Sequence, residues 1–409
     1  MNPLIKMAWL NIWRNPRRAA ILLAAMASGL VGILFCMSFI RGWLVQMVDD
    51  STGTYEGHVK ILARGFNENP VIENNFVLSA ELAGFLDADL RVDGWVPRIV
   101  APGLLCTPEH AKVVTIIGTD PAREIKVATA CRMISEGRMI RPETRGELLV
   151  GRNLAAKINK SPGRKVILMS QQLGGEIGTA ATRIAGIYDV GIGSFNEANV
   201  YLTLDDAAGM LNVTGRITEV AVRLRDINTC DDFAADLRSR FSDPAIEILT
   251  WRQRLPYVDE TISLMGKYAW LYYAIFYTAM AFGIVNTLIM AIGERTHEIG
   301  VLLAVGMTRL RLIFLIVLES MFIAVVAVAA GLLMGTALVM WFNARGIDLS
   351  AFAEGMDLFG LAHVMRPVLD PLDVRNATAG TFIISILFSC WPAWRAASLV
   401  PVSALRQTG

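Results

Sequence analysis

Two long apolar runs, residues 268–292 and 312–342, constrain this chain most. Each is longer than the roughly 20 residues that an α-helix needs to cross a bilayer. The short segment between them carries charges and has one apolar face at helical spacing, formed by Ile299, Leu302, Leu303 and Gly306. Periodicity leaves two interpretations open: a short helix that transmits a push from a cytoplasmic partner, or an ordinary cytosolic loop that is helical.

Composition also indicates a membrane protein. Hydrophobic residues make up 54% of the 409 residues and charged residues only 18%, below the roughly 25% of soluble domains. Two further apolar runs, 19–42 and 376–394, bring the predicted number of spans to four. A cleaved signal peptide is the alternative for the first run, but the run is too long and no small-x-small cleavage site follows it. A net charge of +1 gives no argument for nucleic-acid binding.

The distribution of basic residues predicts the orientation of the spans. Basic residues precede the first predicted span, lie between the second and third, and follow the fourth: Lys6, Arg14, Arg17, Arg18, Arg295, Arg309, Arg311, Arg395 and Arg406. With four spans all of them fall on one side, which the positive-inside rule makes cytoplasmic. Both termini, including a tail at 395–409, are then predicted to be cytoplasmic. Residues 343–375 are predicted to form a short extracytoplasmic loop.

The first 18 residues predict a separate amphipathic helix. Its apolar face includes two tryptophans beside basic residues and consists of Ile5, Ala8, Trp9, Ile12 and Trp13. Such a face suits a helix lying in the membrane interface. Pro16 disfavours an unbroken helix that continues into the first span. We therefore expect residues 1–18 to form a cytoplasmic, interfacial helix.

Residues 43–267 predict a large α+β extracytoplasmic domain, inserted between spans one and two of an α-helical four-span transmembrane domain. Short β-like clusters alternate with helical patterns. The predicted strands are 58–63, 95–100, 113–118, 165–170, 181–188, 199–202 and 218–224, and the predicted helices are 79–86, 151–158, 204–211 and 230–241. We expect a larger subdomain of residues 43–145 with 213–267, and a β-rich insert at 146–212 that contains a hairpin with its tip at 171–178.

No catalytic or metal-binding pattern occurs in the sequence. There is no Gly-x-x-x-x-Gly-Lys-Ser/Thr phosphate-binding loop, so ATP hydrolysis by this chain is not expected. The four histidines are scattered without metal-ligand spacing. Three cysteines, Cys106, Cys131 and Cys230, lie in the predicted outer domain, where at most one disulfide or three free thiols are open alternatives.

For several residues inside the predicted spans we expect a packing or functional role. Glu319 is the one charge within the third span, so it has either a functional role inside the membrane or a partner near the interface, Arg309 or Arg311. Asn286 is expected to hydrogen-bond between helices. Stripes of small residues that let helices approach closely include Gly29, Gly32, Gly331 and Gly335. These stripes suit either packing within the chain or contact with a second chain.

Three sequence motifs, in order along the chain, resemble one family. They are Gly57-His58-Val59-Lys60-Ile61 followed by Gly65-Phe66; Glu294-Arg295, Glu298-Ile299-Gly300 and Ala304-x-Gly306; and Pro392-Ala393-Trp394-Arg395-Ala396-Ala397 followed by Pro401 and Ala404-Leu405-Arg406. Together they resemble the ABC-transporter permeases of the macrolide-exporter and lipoprotein-releasing superfamily. The motifs cover both ends and the middle of the chain.

The resemblance implies a multi-pass permease of the bacterial inner membrane that works by mechanotransmission. It implies a cytoplasmic ABC ATPase dimer that binds ATP and Mg, a second permease subunit or a copy of this chain, and surrounding membrane lipids. No cofactor is expected in this chain. Segment 293–311 is then a cytoplasmic coupling helix, whose expected ATPase-coupling residues are Glu294, Arg295, Glu298, Ile299, Gly300, Leu302, Leu303, Ala304 and Gly306.

Among substrates, the resemblance favours lipoproteins released from the inner membrane toward the outer membrane. The alternatives are efflux of a peptide, antibiotic or other small hydrophobic compound, and a regulatory scaffold for periplasmic cell-wall hydrolases. An apolar stripe leading out of the bilayer forms a candidate substrate path or, alternatively, part of an interfacial belt: Met37, Ile40, Trp43, Leu44 and Met47, with Leu264. The 171–178 tip is either a hook for a periplasmic carrier or, as its glycines favour, an ordinary turn.

Overall fold

A computed structural model describes residues 3–14, 16–352 and 364–398 of the chain. The chain divides into two compact units. A helical unit comprises Met1–Leu44, Ile262–Ile347 and Met365–Gly409. A mixed unit of strands and helices comprises Val45–Thr261 and Asp348–Val364.

Helices are numbered here in chain order through the described residues. They are α1 (Pro3–Arg14), α2 (Pro16–Ser51), α3 (Ala80–Ala88), α4 (Pro121–Val127), α5 (Arg152–Lys157), α6 (Gly193–Ala198), α7 (Leu204–Leu211), α8 (Cys230–Arg240), α9 (Trp251–Arg254), α10 (Pro256–Glu294), α11 (Thr296–Ala304), α12 (Arg309–Arg345) and α13 (Pro371–Ala397). A π-helical turn, Thr52–Glu56, continues α2.

Strands are numbered in the same way. They are β1 (Val59–Ala63), β2 (Val92–Cys106), β3 (Ala111–Thr119), β4 (Ile134–Gly137), β5 (Glu147–Gly151), β6 (Lys165–Gln171), β7 (Ile177–Tyr188), β8 (Asn199–Thr203), β9 (Glu219–Leu224), β10 (Ile246–Thr250), β11 (Ile347–Asp348) and β12 (Val364–Met365).

Within the described ranges, four helices are long and apolar enough to cross a membrane: α2 with its π-helical turn, α10, α12 and α13. The prediction of four span-length helices is confirmed. The helices extend beyond the apolar runs; α10 begins at Pro256, well before residue 268. Hydropathy marks only the part that a bilayer can hold, whereas a helix continues wherever its backbone hydrogen bonds continue.

A break separates α1 from α2, as Pro16 predicts. Helix α1 ends at Arg14 and Pro16 begins α2. Proline lacks a backbone N–H, so it is tolerated in the first turn of a helix and disfavoured in the interior. The N-terminal segment is therefore a separate helix, which lies against α12.

Small residues let the long helices pack closely within the chain. A Cβ atom added at Gly29 would lie 2.6 Å from Met280 Cε, and one added at Gly331 would lie 3.0 Å from Leu30 Cδ2. Side chains of α10 and α2 therefore occupy the space that these glycines leave open. The other two predicted glycines behave alike: Gly32 faces Phe276 and Gly335 faces Leu34. The structure thus uses these stripes for packing within the chain.

The expected interhelical role of Asn286 is wrong. Asn286 is exposed, and its side chain has no hydrogen-bond partner among the described residues. Its neighbours Ile284 and Leu288 are buried in the core of the helical unit. Because each residue advances a helix by about 100°, a residue midway between two core positions points away from that core.

In the mixed unit, ten of the described strands form one sheet. Its order is β10-β1-β9-β2-β3-β8-β5-β7-β4, and β6 pairs with both β2 and β7. The pairs β3–β8 and β5–β7 are parallel and the other pairs are antiparallel. The strands between residues 147 and 203 belong to the same sheet as the strands that flank them in sequence.

All seven predicted strands and all four predicted helices of this region are present. The end residues differ by a few positions, except in β2, which spans Val92–Cys106 where 95–100 was predicted. Strands β4 and β10, among others, were not predicted. Strand β4 has almost no buried apolar residues and is stabilised by pairing with β7. Strand β10 lies at the edge of the sheet beside β1. Such strands depend on a partner that is distant in sequence, so local pattern does not mark them.

The predicted hairpin is formed by β6 and β7, which pair from Lys165↔Arg183 to Gln171↔Ile177. Its turn contains Gly174 and Gly175, both with positive φ, which favours glycine. The backbone N–H of Leu173 donates to the carbonyl of Leu211 at 3.0 Å, so the tip is attached to the end of α7. These features favour the ordinary-turn interpretation of the tip.

The cysteines of the mixed unit are free thiols. Cys131 and Cys230 are buried, and Cys106 is half-buried with its Sγ 3.8 Å from Met169 Sδ. Burial raises the pKa of the Cys131 thiol well above its ordinary value, which disfavours the reactive thiolate form. Of the two alternatives from sequence, the structure has the one without a disulfide.

A buried ionic cluster joins three neighbouring strands of the sheet. Arg98 on β2 is fully buried, and its guanidinium bonds Glu124 on α4 at 2.5 Å and Glu219 on β9 at 3.1 Å. Lys60 Nζ on β1 lies 3.1 Å from Glu219. Burial raises the pKa of Glu219, but Lys60 and Arg98 outweigh burial and hold that pKa below its ordinary value. Glu219 is therefore ionised and paired on both sides.

Removing the Glu219 carboxylate takes one carboxylate partner away from Lys60 and from Arg98, both of which are buried. We expect Glu219→Ala to lower the stability of the mixed unit by roughly 3–5 kcal/mol, the usual cost of breaking a buried pair. The measurement is thermal unfolding of the detergent-solubilised full-length protein. The matched control is Glu197→Ala, which removes an exposed partner of Lys157 and is expected to cost about 0–1 kcal/mol. Equal melting temperatures for the two variants would contradict the structural role of the cluster.

Candidate functional site

The α10–α11–α12 junction is the candidate site, because a nine-residue helix here separates two span-length helices. Arg295 lies between α10 and α11 with φ −108° and ψ 17°, outside regular helical geometry. Helix α11 ends at Ala304, and Gly306 has a φ of +100°. Positive φ carries no steric cost for glycine. The two ends of α11 are therefore defined turns, and α11 is a helix of its own.

One face of α11 packs into the helical unit. Ile299 is buried and Leu303 is half-buried, in an apolar cluster with Leu312 and Ile316 of α12 and with alanines of α13, Ala393, Ala396 and Ala397. The packing role predicted for Ile299 and Leu303 is confirmed. Gly306 is wrong as a member of that face, because the helix ends before it and Gly306 is exposed. Its contribution is the turn that leads into α12.

The opposite face of α11 is exposed. His297 and Glu298 begin this face, and Val301 and Val305 are 40% and 83% exposed. Sequence reasoning missed the two valines because it followed the apolar face. They lie where helical periodicity places the residues that do not pack inward. The available signal was that apolar residues occur on both faces of one short helix.

The predicted coupling residues therefore differ in how far they are buried. Ile299 and Gly300 are buried, so neither offers surface to a partner in this structure. The half-buried group is Arg295, Leu302 and Leu303, and the exposed group is Glu294, Glu298, Ala304 and Gly306. Only the exposed group, with the two valines, can make first contact with a docking protein.

Ion pairs connect the α10–α11 junction to its neighbours. Arg14 of α1 pairs with Glu298 in the first turn of α11, and Arg18 of α2 pairs with Glu294 at the end of α10. The Arg14 guanidinium, followed by that of Arg295, holds the pKa of Glu298 below its ordinary value. The Arg295 guanidinium lies 3.1 Å from Glu298. Glu294 at the end of α10 and Glu298 in the first turn of α11 are therefore both engaged by arginines.

Glu319 pairs with Arg295 at 3.3 Å. The sequence left open whether Glu319 acts inside the membrane or pairs near the interface, and the structure shows a pair near one end of the span. The partner is not Arg309 or Arg311, the two that were predicted. Both arginines are exposed in the first turn of α12. Glu319 lies about two helical turns farther along, and a rise of 1.5 Å per residue separates it from Arg311 by roughly 12 Å along the axis.

The candidate substrate path is not a continuous exposed stripe. Met37 and Met47 are buried, at 7% and 3% exposure, so their predicted lining role is wrong for this structure. Met37 belongs to the core that α2 forms with the other long helices. Three further residues are half-buried: Ile40, Trp43 and Leu44. Leu264 is 47% exposed and retains the surface position that the prediction requires.

The aromatic residues near the start of the second predicted span also differ in their exposure. Tyr268 and Trp270 are exposed. Tyr272 and Tyr273 pack against the core of the helical unit. Among the described residues, no group of three or more His, Cys, Asp or Glu is arranged to hold a metal ion.

Comparison with known families agrees with this architecture. Residues 19–240 match the model of the MacB-like periplasmic core domain, and residues 270–401 match the FtsX-like permease C-terminal model. The second match contains α11 and the junctions on both sides of it.

Known relatives resemble the chain over most of its length. It is 24% identical over 332 residues to the lipoprotein-releasing system transmembrane protein LolC of Xylella fastidiosa, covering 78% of both chains. It is 22% identical over 336 residues to LolE of the same kind of system in Haemophilus influenzae, covering 78% of this chain and 79% of LolE. It is 23% identical over 333 residues to the macrolide export ATP-binding/permease protein MacB 2 of Aeromonas hydrophila, covering 77% of this chain and 46% of that protein.

The two family matches together span most of the chain, and the first covers more than half of it. Four span-length helices and these relatives identify a multi-pass inner-membrane protein. The chain belongs to the FtsX-like permeases with a MacB-like periplasmic core domain, the ABC-transporter permeases of the Lol and MacB type.

Proposed function

We propose that this chain is the permease subunit of an ABC transporter that works by mechanotransmission, with ATP and Mg bound by a separate cytoplasmic ATPase dimer. The observation that carries this proposal is α11, a short helix with one face packed on α12 and α13 and the other exposed. A partner pressing on the exposed face displaces a helix that is in direct contact with two span-length helices. We refer to α11 as the coupling helix from here on.

The same proposal assigns a topology. Residues 1–18 form an interfacial helix, residues 43–267 form the periplasmic domain between spans one and two, and both termini are cytoplasmic. The ion pairs support one common end for α1, the start of α2 and the coupling helix, since Arg14 and Arg18 pair with Glu298 and Glu294. Arg41, near the opposite end of the apolar run of α2, pairs with Asp370 and Asp373 at the start of α13. The helical unit thus has two ends with separate charge clusters.

For the substrate we propose lipoproteins, released from the inner membrane toward the outer membrane together with a second permease subunit. The support is the resemblance to LolC and LolE, which extends over 78% of this chain and a like share of each relative. The chain covers 46% of MacB 2, a protein described as both ATP-binding and permease, so that likeness extends over a smaller share of the relative.

Efflux of a small hydrophobic compound is the second candidate. The observation that favours it is the match of residues 19–240 to the MacB-like periplasmic core domain. The hairpin tip at 171–178 gives no added support to a carrier hook, because it is attached to α7 through Leu173 and Leu211. The two candidates share the mechanism and differ in the molecule that leaves the membrane.

Val301 on the coupling helix and Val305 directly after it are exposed, and they provide a test of ATPase docking. We expect Val301→Asp with Val305→Asp to weaken ATPase binding roughly tenfold or more, because a desolvated charge opposes burial at the centre of an interface. Binding is measured by co-purification and by titration of the ATPase onto the permease in nanodiscs. Val113→Asp, at a 77% exposed valine of the mixed unit, is the matched control. Unchanged binding in the coupling-helix variant would argue against docking at this face.

Single cysteines test the topology. In a background without native cysteines, Leu90→Cys in the mixed unit and Val305→Cys after the coupling helix occupy highly exposed positions, 85% and 83%. We expect an impermeant maleimide to label Leu90→Cys in intact spheroplasts and Val305→Cys only after lysis. Each variant is the control for the thiol reactivity of the other. Labelling of both in intact spheroplasts, or the reverse order, would overturn the assigned topology.

The substrate proposal is tested by capture. A photo-crosslinking residue at Leu264 is expected to capture a triacylated lipoprotein, and ATP with the ATPase is expected to reduce that adduct. Phe282, also exposed on α10 and farther along the span, is the control position. Depletion of the protein should leave lipoproteins in the inner membrane. Intact lipoprotein sorting together with new sensitivity to a small toxic compound would favour efflux instead.

A further inference from the structure

Glu319 is a charged side chain within the apolar run 312–342 of α12, and its side chain is only 15% exposed. It has two partners from outside α12. Arg295 lies 3.3 Å away, and the side-chain amide of Asn11 donates to Oε1 at 2.5 Å. An ionised group inside a membrane helix is costly unless it is paired. Here the pairing brings together three separate segments of the chain.

The first segment is the hinge before the coupling helix. Arg295 is the non-helical residue between α10 and α11. Its guanidinium bonds Glu319 and also Glu298 in the first turn of α11. The residue at which the chain leaves α10 is therefore held by one carboxylate of α12 and one of α11.

The second segment is α1. Asn11 bonds Glu319, and Arg14, one turn later, pairs with Glu298. The ring of Trp9 meets that of Phe322 edge to face, with centroids 5.7 Å apart. Helix α1 thus contacts both the coupling helix and α12. Asn11, Arg295 and Glu319 also line one small pocket of about 50 Å³ in the helical unit.

We propose that Glu319 is the positioning residue of the coupling helix. Through Arg295 it fixes the hinge between α10 and α11. Through Asn11 it attaches α1 to the same carboxylate. This inference rests on the proposed function, since it states how a push on the coupling helix reaches α12. With the hinge fixed, the displaced coupling helix moves α12. With the hinge free, the coupling helix turns about Arg295 and the displacement is lost.

The test separates docking from transmission in the full-length permease in nanodiscs. The variants are Glu319→Gln, Arg295→Gln and the double variant, and the matched control is Ser320→Ala. Ser320 is buried beside Glu319, and within the described part of the chain its hydroxyl donates only to the Ile316 carbonyl of its own helix. Three quantities are measured: hydrogen exchange of the peptide 293–306 without ATPase, affinity for the ATPase, and stimulation of ATP turnover.

We expect Glu319→Gln to speed exchange of the 293–306 peptide roughly tenfold, because the hinge opens more readily. Stimulation of ATP turnover should fall roughly fivefold or more, while ATPase affinity changes less than about twofold, since the docking face is intact. The double variant should be no worse than Glu319→Gln alone, because contacting residues are coupled. Ser320→Ala should behave as wild type in all three measurements.

Unchanged exchange in Glu319→Gln, additive losses in the double variant, or equal losses of affinity and stimulation would each overturn the inference. If the wild-type permease neither binds nor stimulates the ATPase, the proposed function fails. The exchange measurement still decides the positioning role in that case, because it needs no ATPase: faster exchange supports the hinge and unchanged exchange refutes it.

Discussion

Charge removed from water must be paired, and this requirement organises both units of the protein. In the mixed unit, Arg98 is fully buried between Glu124 and Glu219. In the helical unit, Glu319 reaches Arg295 and Asn11 across three segments. Each cluster connects parts of the chain that lie far apart in sequence. Since a buried charge without its partner is strongly destabilising, each cluster also fixes the relative position of the elements that carry it.

Close helix packing complements the ionic contacts of the helical unit. Helices in a bilayer gain little from the hydrophobic effect between them, so short distances and well-filled contacts matter more. Gly32 of α2 illustrates how short these distances become, because a Cβ there would lie 2.5 Å from Phe276 Cε1 of α10. Such a frame transmits displacement because its members cannot slide past one another without clashes.

The coupling helix combines these two kinds of contact. Its inner face is apolar and packs on α12 and α13. Glu298 in its first turn is engaged by Arg14 of α1 and by Arg295 at the hinge. Its outer face carries exposed valines. Mechanotransmission, as proposed here, requires a surface for the partner, a rigid contact with the spans and a fixed pivot, and the three parts of this short helix supply one each.

Local chemistry determined much of this protein from the sequence alone. Four apolar runs predicted four span-length helices, Pro16 predicted the break after α1, and short β-like apolar clusters predicted seven strands of the sheet, because hydropathy and ring geometry act over a few residues. Family motifs indicated the permease family. Tertiary structure decided the rest. Sequence offered Arg309 or Arg311 as a partner for Glu319, an interhelical bond for Asn286, and a candidate substrate path that includes Met37 and Met47. In the structure Glu319 pairs with Arg295, Asn286 is exposed, and both methionines are buried. Partners and burial depend on how helices distant in sequence pack, which no local pattern contains.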